Sequence, residues 1–337
     1  MGLAGPGEIL AMSSLDDYCA RTALLNVNQK NGRASPHKIC MLLAVFDLAR
    51  SGALPDNRIF FAPPLLERYA RYFDAVRGPT DQPSPYFPFF HLTSKLKKGV
   101  ASFWHLQALP GREDPLAAMG SARSAGAITD NVAFAFLDSA LFDLLRDPAN
   151  VDRLSEALAR AWFGRGLNEL DAIVARCADI SHYERRLRNS EPELLARSPA
   201  PPAYVRDPAF RRVVTQLYDY RCAATGIRLV LDDGTALVEA AHIHPFSEAQ
   251  DDDPRNGLAL TPNMHWAMDQ NLIAPGPDFK WHVSRTLDRR IPDYRMLIDL
   301  HDQSIFLPAE ARMFPKREAL AWRMERLLVG RLPLQAI

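Results

Sequence analysis

Glu239-Ala-Ala-His242-Ile-His244-Pro245, an acidic loop through Asp251-Asp252-Asp253, and then Arg255-Asn256-Gly257-Leu-Ala-Leu-Thr261-Pro262-Asn-Met-His265-Trp-Ala-Met-Asp269 form the stretch whose reading decides the fold. Leu237 to Ile243 suits a buried strand, and Pro245 ends it. Thr261-Pro262 suits a helix start, a hydroxyl cap followed by proline at the first helical position. Alternate strand residues share a face, so His242 and His244 are expected to point the same way. His265 and Asp269 stand four apart on the helix and share its face. An imidazole and a carboxylate at this spacing can reach one divalent ion. Asn256 falls in the loop between strand and helix, where its amide either holds the loop closed or orients a base. Asp251, Asp252 and Asp253 are expected to face water, as consecutive acids in a loop usually do. His282 reads as a surface residue.

The chain around this stretch has 337 residues, 47% of them hydrophobic. That is enough for two or three domains with packed cores, and it argues against wholesale disorder. Lys plus Arg and Asp plus Glu are 40 each, for a formal net charge of +0. Any nucleic-acid surface must therefore be a local basic patch. Cys19, Cys40, Cys177 and Cys222 are far apart, with no Cys-x-x-Cys pair, so neither a disulfide scaffold nor a zinc knuckle is expected. Cys222 reads as a small packed residue. There is no signal-peptide pattern and no bilayer-length apolar run, so a cytoplasmic protein without membrane contact is expected.

Along the chain, helices are expected over 14–30, 36–50 (capped by Ser35), 64–76, 134–147, 151–163 and 316–329. Another should begin at Asp207-Pro208. Strands are expected at 59–62 and near 279–284. Residues 90–96 and 102–109 read as a hairpin with the basic tip Lys97-Lys98-Gly99. Ser198-Pro199-Ala200-Pro201-Pro202 reads as a linker. The expected organisation is a recognition domain over 1–165, a helical segment and linker over 166–205, and a second domain over 206–337. The expected fold class is α+β.

The order His242, Asn256, His265, with Ala-Ala-His-Ile, Asn-Gly-Leu-Ala-Leu and His-Trp-Ala-Met-Asp around them, resembles the HNH endonucleases, in particular the branch found in restriction enzymes. The resemblance covers roughly 210 to 325. It implies a ββα-metal unit, a two-stranded hairpin and a helix gripping one divalent metal, magnesium or manganese, with zinc as a further option. It implies His242 as the base that activates water, Asn256 as the middle residue, and His265 and Asp269 as metal ligands. Many such sites carry Asp or His directly before the base. Here that residue is Ala241, and His244, Glu239 or a water would take its place.

Toward the N-terminus, Arg33-Ala-Ser35-Pro36-His37-Lys38 and Tyr86-Phe-Pro-Phe-Phe-His91-Leu92 interleave cations with aromatics. Most of these aromatics are expected to fill a core. Arg33, His37, Lys38, His91, Lys97 and Lys98 are the candidate DNA-binding residues. Over roughly 20 to 165 the pattern is similar to the sulfur-binding domain of type IV, McrA-like restriction endonucleases, which recognise phosphorothioate DNA. The stretch matching that family's pocket loop, Phe163-Gly164-Arg165-Gly166-Leu167, lacks its tyrosine and proline, so another modification, or unmodified DNA, is a further reading. The expected function is thus metal-dependent cleavage of double-stranded, modified DNA in defence, with a homodimer as one way to cut both strands. Leu320, Trp322, Leu327 and Leu328 would form its interface or simply core. The alternatives are a nicking HNH nuclease blind to modification, and a DNA-binding module with a silent HNH unit.

Overall fold

The computed structural model describes residues 14–30, 32–163, 165, 167, 170–189 and 200–327. Its chain divides into two compact units, Met1–Ala178 and Asp179–Ile337. Both mix helices with short two-stranded sheets, an α+β architecture. Among the described residues no helix is long and apolar enough to cross a membrane.

The first unit starts with α1 (Leu15–Thr22), β1 (Gln29–Lys30), β2 (Arg33–Ala34) and α2 (His37–Arg50). Every residue of α2 from Ile39 to Arg50 is buried, as its apolar composition all round requires. Ser35 does not cap α2, because its hydroxyl pairs with the His37 ring at 2.9 Å. Then come α3 (Pro63–Val76), α4 (Tyr86–His91), β3 (Trp104–Ala108), α5 (Glu113–Ala118), α6 (Ala125–Thr129), β4 (Val132–Leu137), α7 (Ser139–Leu144) and α8 (Pro148–Phe163).

Three expectations fail here. Residues 86–91 are helical, with Phe89 and Phe90 turned into the core, so there is no 90–96 strand and Lys97-Lys98-Gly99 is one turn of 3-10 helix. The partner of β3 is instead Val132–Leu137, placed by sequence in a helix but paired antiparallel with Trp104 opposite Leu137. Its alternation of Val, Phe and Leu with Ala suits a half-buried strand. Ile59 contributes a single bridge to Ala135, not a strand.

A buried polar network ties α2 to its neighbours. The Arg50 side chain is fully buried and donates to Asp47, to Asp152 at 2.7 Å and to Ser155 at 2.7 Å. Tyr72 donates to the other Asp47 oxygen at 3.0 Å. Removing Asp47 takes one anionic partner from the fully buried Arg50 and the acceptor of the Tyr72 hydroxyl. Asp47→Ala is expected to lower the stability of this unit by about 3 kcal/mol, read as a shift in the urea midpoint.

Helix α9 (Leu170–Asn189) crosses the division between the units. The second unit continues with α10 (Ala203–Leu217), β5 (Glu239–His242), α11 (Phe246–Ala249), β6 (Gly257–Leu260), α12 (Pro262–Asp269), β7 (Ile273–Pro275), β8 (Trp281–Val283), α13 (Arg295–Ile298) and α14 (Arg317–Glu325). Helix α10 begins before Asp207 and runs through Pro208, burying Val205 and Phe210 on one side. Leu320 of α14 is core, and Leu328 lies outside the described residues, as do Ser198 and Pro199 of the proline-rich stretch. Strands β5 and β6 pair antiparallel, with Glu239 opposite Leu260 and His242 opposite Gly257. Ala241, Leu258, Ala259 and Leu260 are fully buried. The hairpin is thereby fixed as a platform on which α12 and α10 pack.

Candidate active site

His242 ends β5, and its ring lies flat on Phe210 of α10, with centroids 3.9 Å apart and planes 1° off parallel. The stacking depends on Gly257. A Cβ there would fall 2.8 Å from the Phe210 ring and 2.7 Å from Val214. Nε2 of His242 lies 3.1 Å from Oδ1 of Asp252, whose Oδ2 accepts from the Tyr183 hydroxyl at 3.2 Å and faces Arg206 at 3.6 Å. Burial, and then the Asp252 carboxylate, push the Tyr183 phenol well up, so it stays a proton donor. The tautomer that donates Nε2–H to Asp252 leaves Nδ1 with a free lone pair. Exposure of 22% keeps the ring within reach of solvent.

The aspartates of the loop therefore do not all face water. Asp252 and Asp253 are 6% and 4% exposed, and the physical reason is specific pairing. Asp253 forms a fork with Arg255 and meets Lys316 at 3.1 Å. Burial alone would raise its carboxyl, but these bonds outweigh that and hold it below the usual range.

Asn256 is fully buried and spends its whole amide on the loop. Its Oδ1 accepts from His244 N–H, and its Nδ2 donates to the His244 and Asp251 carbonyls, all at 2.9 Å. It ties the end of β5 to the start of β6 and makes no bond to the His242 ring. His244 and His242 part company beyond the strand. The His244 ring stacks on Trp322 at 3.9 Å, and Glu248 is 3.8 Å from its Nε2. Burial first, then nearby Arg326 and Arg323, lower its basicity despite Glu248.

Helix α12 carries the other half of the site. Thr261 precedes it, but its hydroxyl faces Cys222, whose sulfur also accepts from Thr261 N–H at 3.4 Å. His265 stands between two carboxylates, with Glu239 Oε2 3.0 Å from Nδ1 and Asp269 Oδ2 3.4 Å from Nε2. Glu239 and Asp269 thus approach opposite edges of the ring. Arg323 of α14, 3% exposed, fastens this half to the hairpin. It donates to the carbonyls of Ile243 at 2.7 Å, His242 at 3.2 Å and Met268 at 3.4 Å. Sequence reasoning missed Asp252, Tyr183 and Arg323. Tyr183 and Arg323 reach the site from far along the chain, and Asp252, only ten residues from His242, is told from its neighbouring acids by the burial that Tyr183 and Arg206 give it.

The donor set fits a divalent ion that keeps most of its own water. One imidazole nitrogen and one carboxylate oxygen 3.4 Å apart can share it, and small hard cations are commonly held by one or two protein groups plus substrate phosphate.

In the first unit the candidate DNA-binding residues are spread over several settings. Arg33 pairs with Asp81 at 2.7 Å and also donates to the Val76 carbonyl. His37 sits between Ser35 and the Gln82 carbonyl, and burial lowers its basicity. Lys38 is half-buried with no counter-ion among the described residues, and burial brings its ammonium down to about 8. Burial, then the charge of Lys38, lowers His91, whose Nε2 meets Ser121 at 2.9 Å. Lys97 and Lys98 are exposed. Of the stretch 163–167, Gly164 and Gly166 lie outside the described residues, and Arg165 packs over Trp162 at 4.4 Å. A cavity of about 360 Å³ opens beside Arg33, lined also by Asn28, Gln29, Ser35, Thr80 and Asp81.

Residues 222–274 match the family described as HNH endonuclease, so the second unit carries an HNH domain. Enzymes of this family generally use a divalent metal. A solved structure titled "Modification dependent TagI restriction endonuclease" aligns at 21% identity with a TM-score of 0.28, over 39% of this chain and 41% of its own. No curated protein matches the chain.

Proposed function

We propose that this chain is a divalent-metal-dependent DNA endonuclease in which the HNH unit cuts and the N-terminal unit reads modified DNA. The observation that carries the cutting half is the His242–Asp252 pair, a solvent-reachable imidazole whose far nitrogen is fixed by a buried carboxylate. His242 Nδ1 takes the proton of the attacking water while Asp252 holds the ring and faces the imidazolium that forms. Asn256 keeps the loop closed around that ring. His265 and Asp269 would hold the ion, with Glu239 orienting His265 from its other nitrogen. A bound divalent ion supplies charge stabilisation at the scissile phosphate and the leaving oxygen. With Ala241 giving no ligand, phosphate and water would complete the coordination of such an ion. His244, turned to Trp322, serves packing.

Support for a reader in the first unit comes from Lys38. A half-buried ammonium with no counter-ion among the described residues is costly and is relieved when an anion such as a phosphate arrives. His91, Arg33, His37, Lys97 and Lys98 would extend the contact, and the cavity beside Arg33 has room for a modified nucleotide. Two copies acting on opposite strands would give a double-strand cut.

Plasmid cleavage with magnesium, manganese or EDTA, on unmodified, methylated and phosphorothioate DNA, tests the proposal. Cutting of one modified substrate only, lost with EDTA, is expected. Equal cutting of all three would leave a nicking nuclease blind to modification, and binding without any cutting would leave a DNA-binding module. The Lys38 contact also has a pH signature. Its charge is present below about 8 and lost above it, so DNA affinity should fall as pH rises from 7 to 9. Lys38→Arg, charged throughout, should flatten that fall in fluorescence anisotropy. An unchanged slope would remove Lys38 from the contact.

A further inference from the structure

A second cluster of ligand-type side chains lies away from the contacts of His242 and His265. It is built from three pieces of chain around β8. His282 comes from the strand itself, Asp278 from the turn that leads into it, and His301 and Asp302 from the turn after α13. One ligand atom each of His282, His301 and Asp302 lies within 4.8 Å of the others, and this is the one such group of three among the described residues. The two rings meet edge to face with centroids 6.0 Å apart. Asp278, outside that group of three, brings a fourth donor atom, Oδ1, to 3.0 Å from His282 Nε2.

The surroundings favour an ion over a set of chance surface pairs. The backbone beneath is bare. A Cβ on Gly276 would fall 2.5 Å from His282 Nε2 and 2.4 Å from Asp278 Oδ1, so these two groups occupy space that only glycine leaves open. The existing bonds of His301 are weak. Its Nδ1 receives Val283 N–H at 3.4 Å, and its Nε2 is 3.8 Å from Asp302. At those distances neither holds the ring in place. Tetrahedral coordination of zinc needs donors about 3.3 Å apart, a small side-chain contraction from the present spacing. Two imidazoles with carboxylates suit zinc and its transition-metal neighbours better than magnesium or calcium.

We propose that His282, His301 and Asp302, with Asp278 as fourth ligand, form a structural site for a zinc-class divalent ion. The ion would staple the 301–304 segment to β8, where Trp281 N–H already donates to the Gln303 carbonyl at 2.8 Å and Asp302 N–H to the Trp281 carbonyl at 2.9 Å. That segment leads on to α14 and its clamp residue Arg323. The site thus steadies the nuclease unit without touching the reacting atoms.

The test uses the full chain, stripped with EDTA and titrated with zinc or cobalt alone. Bound metal is counted by elemental analysis, geometry is read from the visible absorption of cobalt, and Tm is followed with and without zinc. His265→Ala separates this site from the nuclease site. Wild type and His265→Ala are both expected to bind zinc here, give the strong visible bands of tetrahedral cobalt and gain Tm. His301→Ala should lose one bound equivalent, the bands and the Tm gain, while keeping magnesium-dependent cleavage at low temperature. His301 is 41% exposed, so its loss spares the core, and Asp302→Asn offers a milder variant expected to weaken zinc at least about tenfold. If His301→Ala and Asp302→Asn match wild type in bound zinc and in Tm gain, the site does not exist.

Discussion

His242→Ala is expected to lower DNA cleavage by about 10²- to 10⁴-fold while leaving the unit folded and able to bind DNA. The magnitude follows from its assigned work. The imidazole is the group at the end of β5 with a lone pair free for water, and the neighbouring groups are arranged around its orientation: Phe210 beneath the ring, Asp252 at Nε2, and Gly257 leaving room for both. Folding should survive. The side chain is 22% exposed, and the hairpin is held by Asn256, by Arg323 and by the buried face of β6. The stranded Asp252 keeps the Tyr183 hydroxyl and Arg206 as partners. Single-turnover cleavage, DNA anisotropy and the thermal midpoint measured side by side check this. Wild-type cleavage by the variant would mean that another group accepts the proton. Loss of folding would mean that the ring is a core residue first.

Much of this site was legible before the structure because it is local. Pro262 at the helix start and the four-residue spacing of His265 and Asp269 are set by short-range rules and the structure places them so, whereas the strand Gly257–Leu260 between Asn256 and the helix came only with the resemblance to the HNH hairpin. What local rules could not show was the support. Asp252 looked like one of three solvated acids, because its burial depends on Tyr183, 69 residues earlier. Arg323 reads as a surface cation on a weakly patterned helix until its bonds to carbonyls 55 to 81 residues away are seen. The same holds for the fold of the first unit. Phe90 to Leu96 had β-type composition, but Pro85 and Pro88 and the buried Phe89 favour a helical turn there. Val132–Leu137 carries a two-residue alternation that suits a strand, but its alanines also suit a helix, and its partner Trp104–Ala108 settles it. Aromatic and β-branched residues pack well in either state, so the tertiary neighbour decides.

Asp252→Asn should separate a positioning role from a merely structural one, with cleavage down by about 10²- to 10³-fold at unchanged DNA affinity. The substitution keeps size and shape in a site where the carboxylate is 6% exposed. It changes two things for His242. An amide can present its NH₂ group to Nε2, which selects the tautomer with the proton on Nδ1, and that nitrogen then has no lone pair for water. The imidazolium formed on proton transfer also loses the negative charge that faced it at 3.1 Å. Neither change touches His265, Asp269 or the N-terminal unit, so metal binding and DNA affinity should stay as in wild type. Tyr183→Phe is the internal comparison, since it removes one bond to Asp252 but leaves the carboxylate charged. Its loss should be much smaller, within about tenfold, because the carboxylate keeps its charge, its contact with Nε2 and Arg206 as a partner. If Asp252→Asn cut at the wild-type rate while His242→Ala were inactive, Asp252 would be a packing and ion-pair residue, and the orientation of the base would have to come from the Phe210 stack alone.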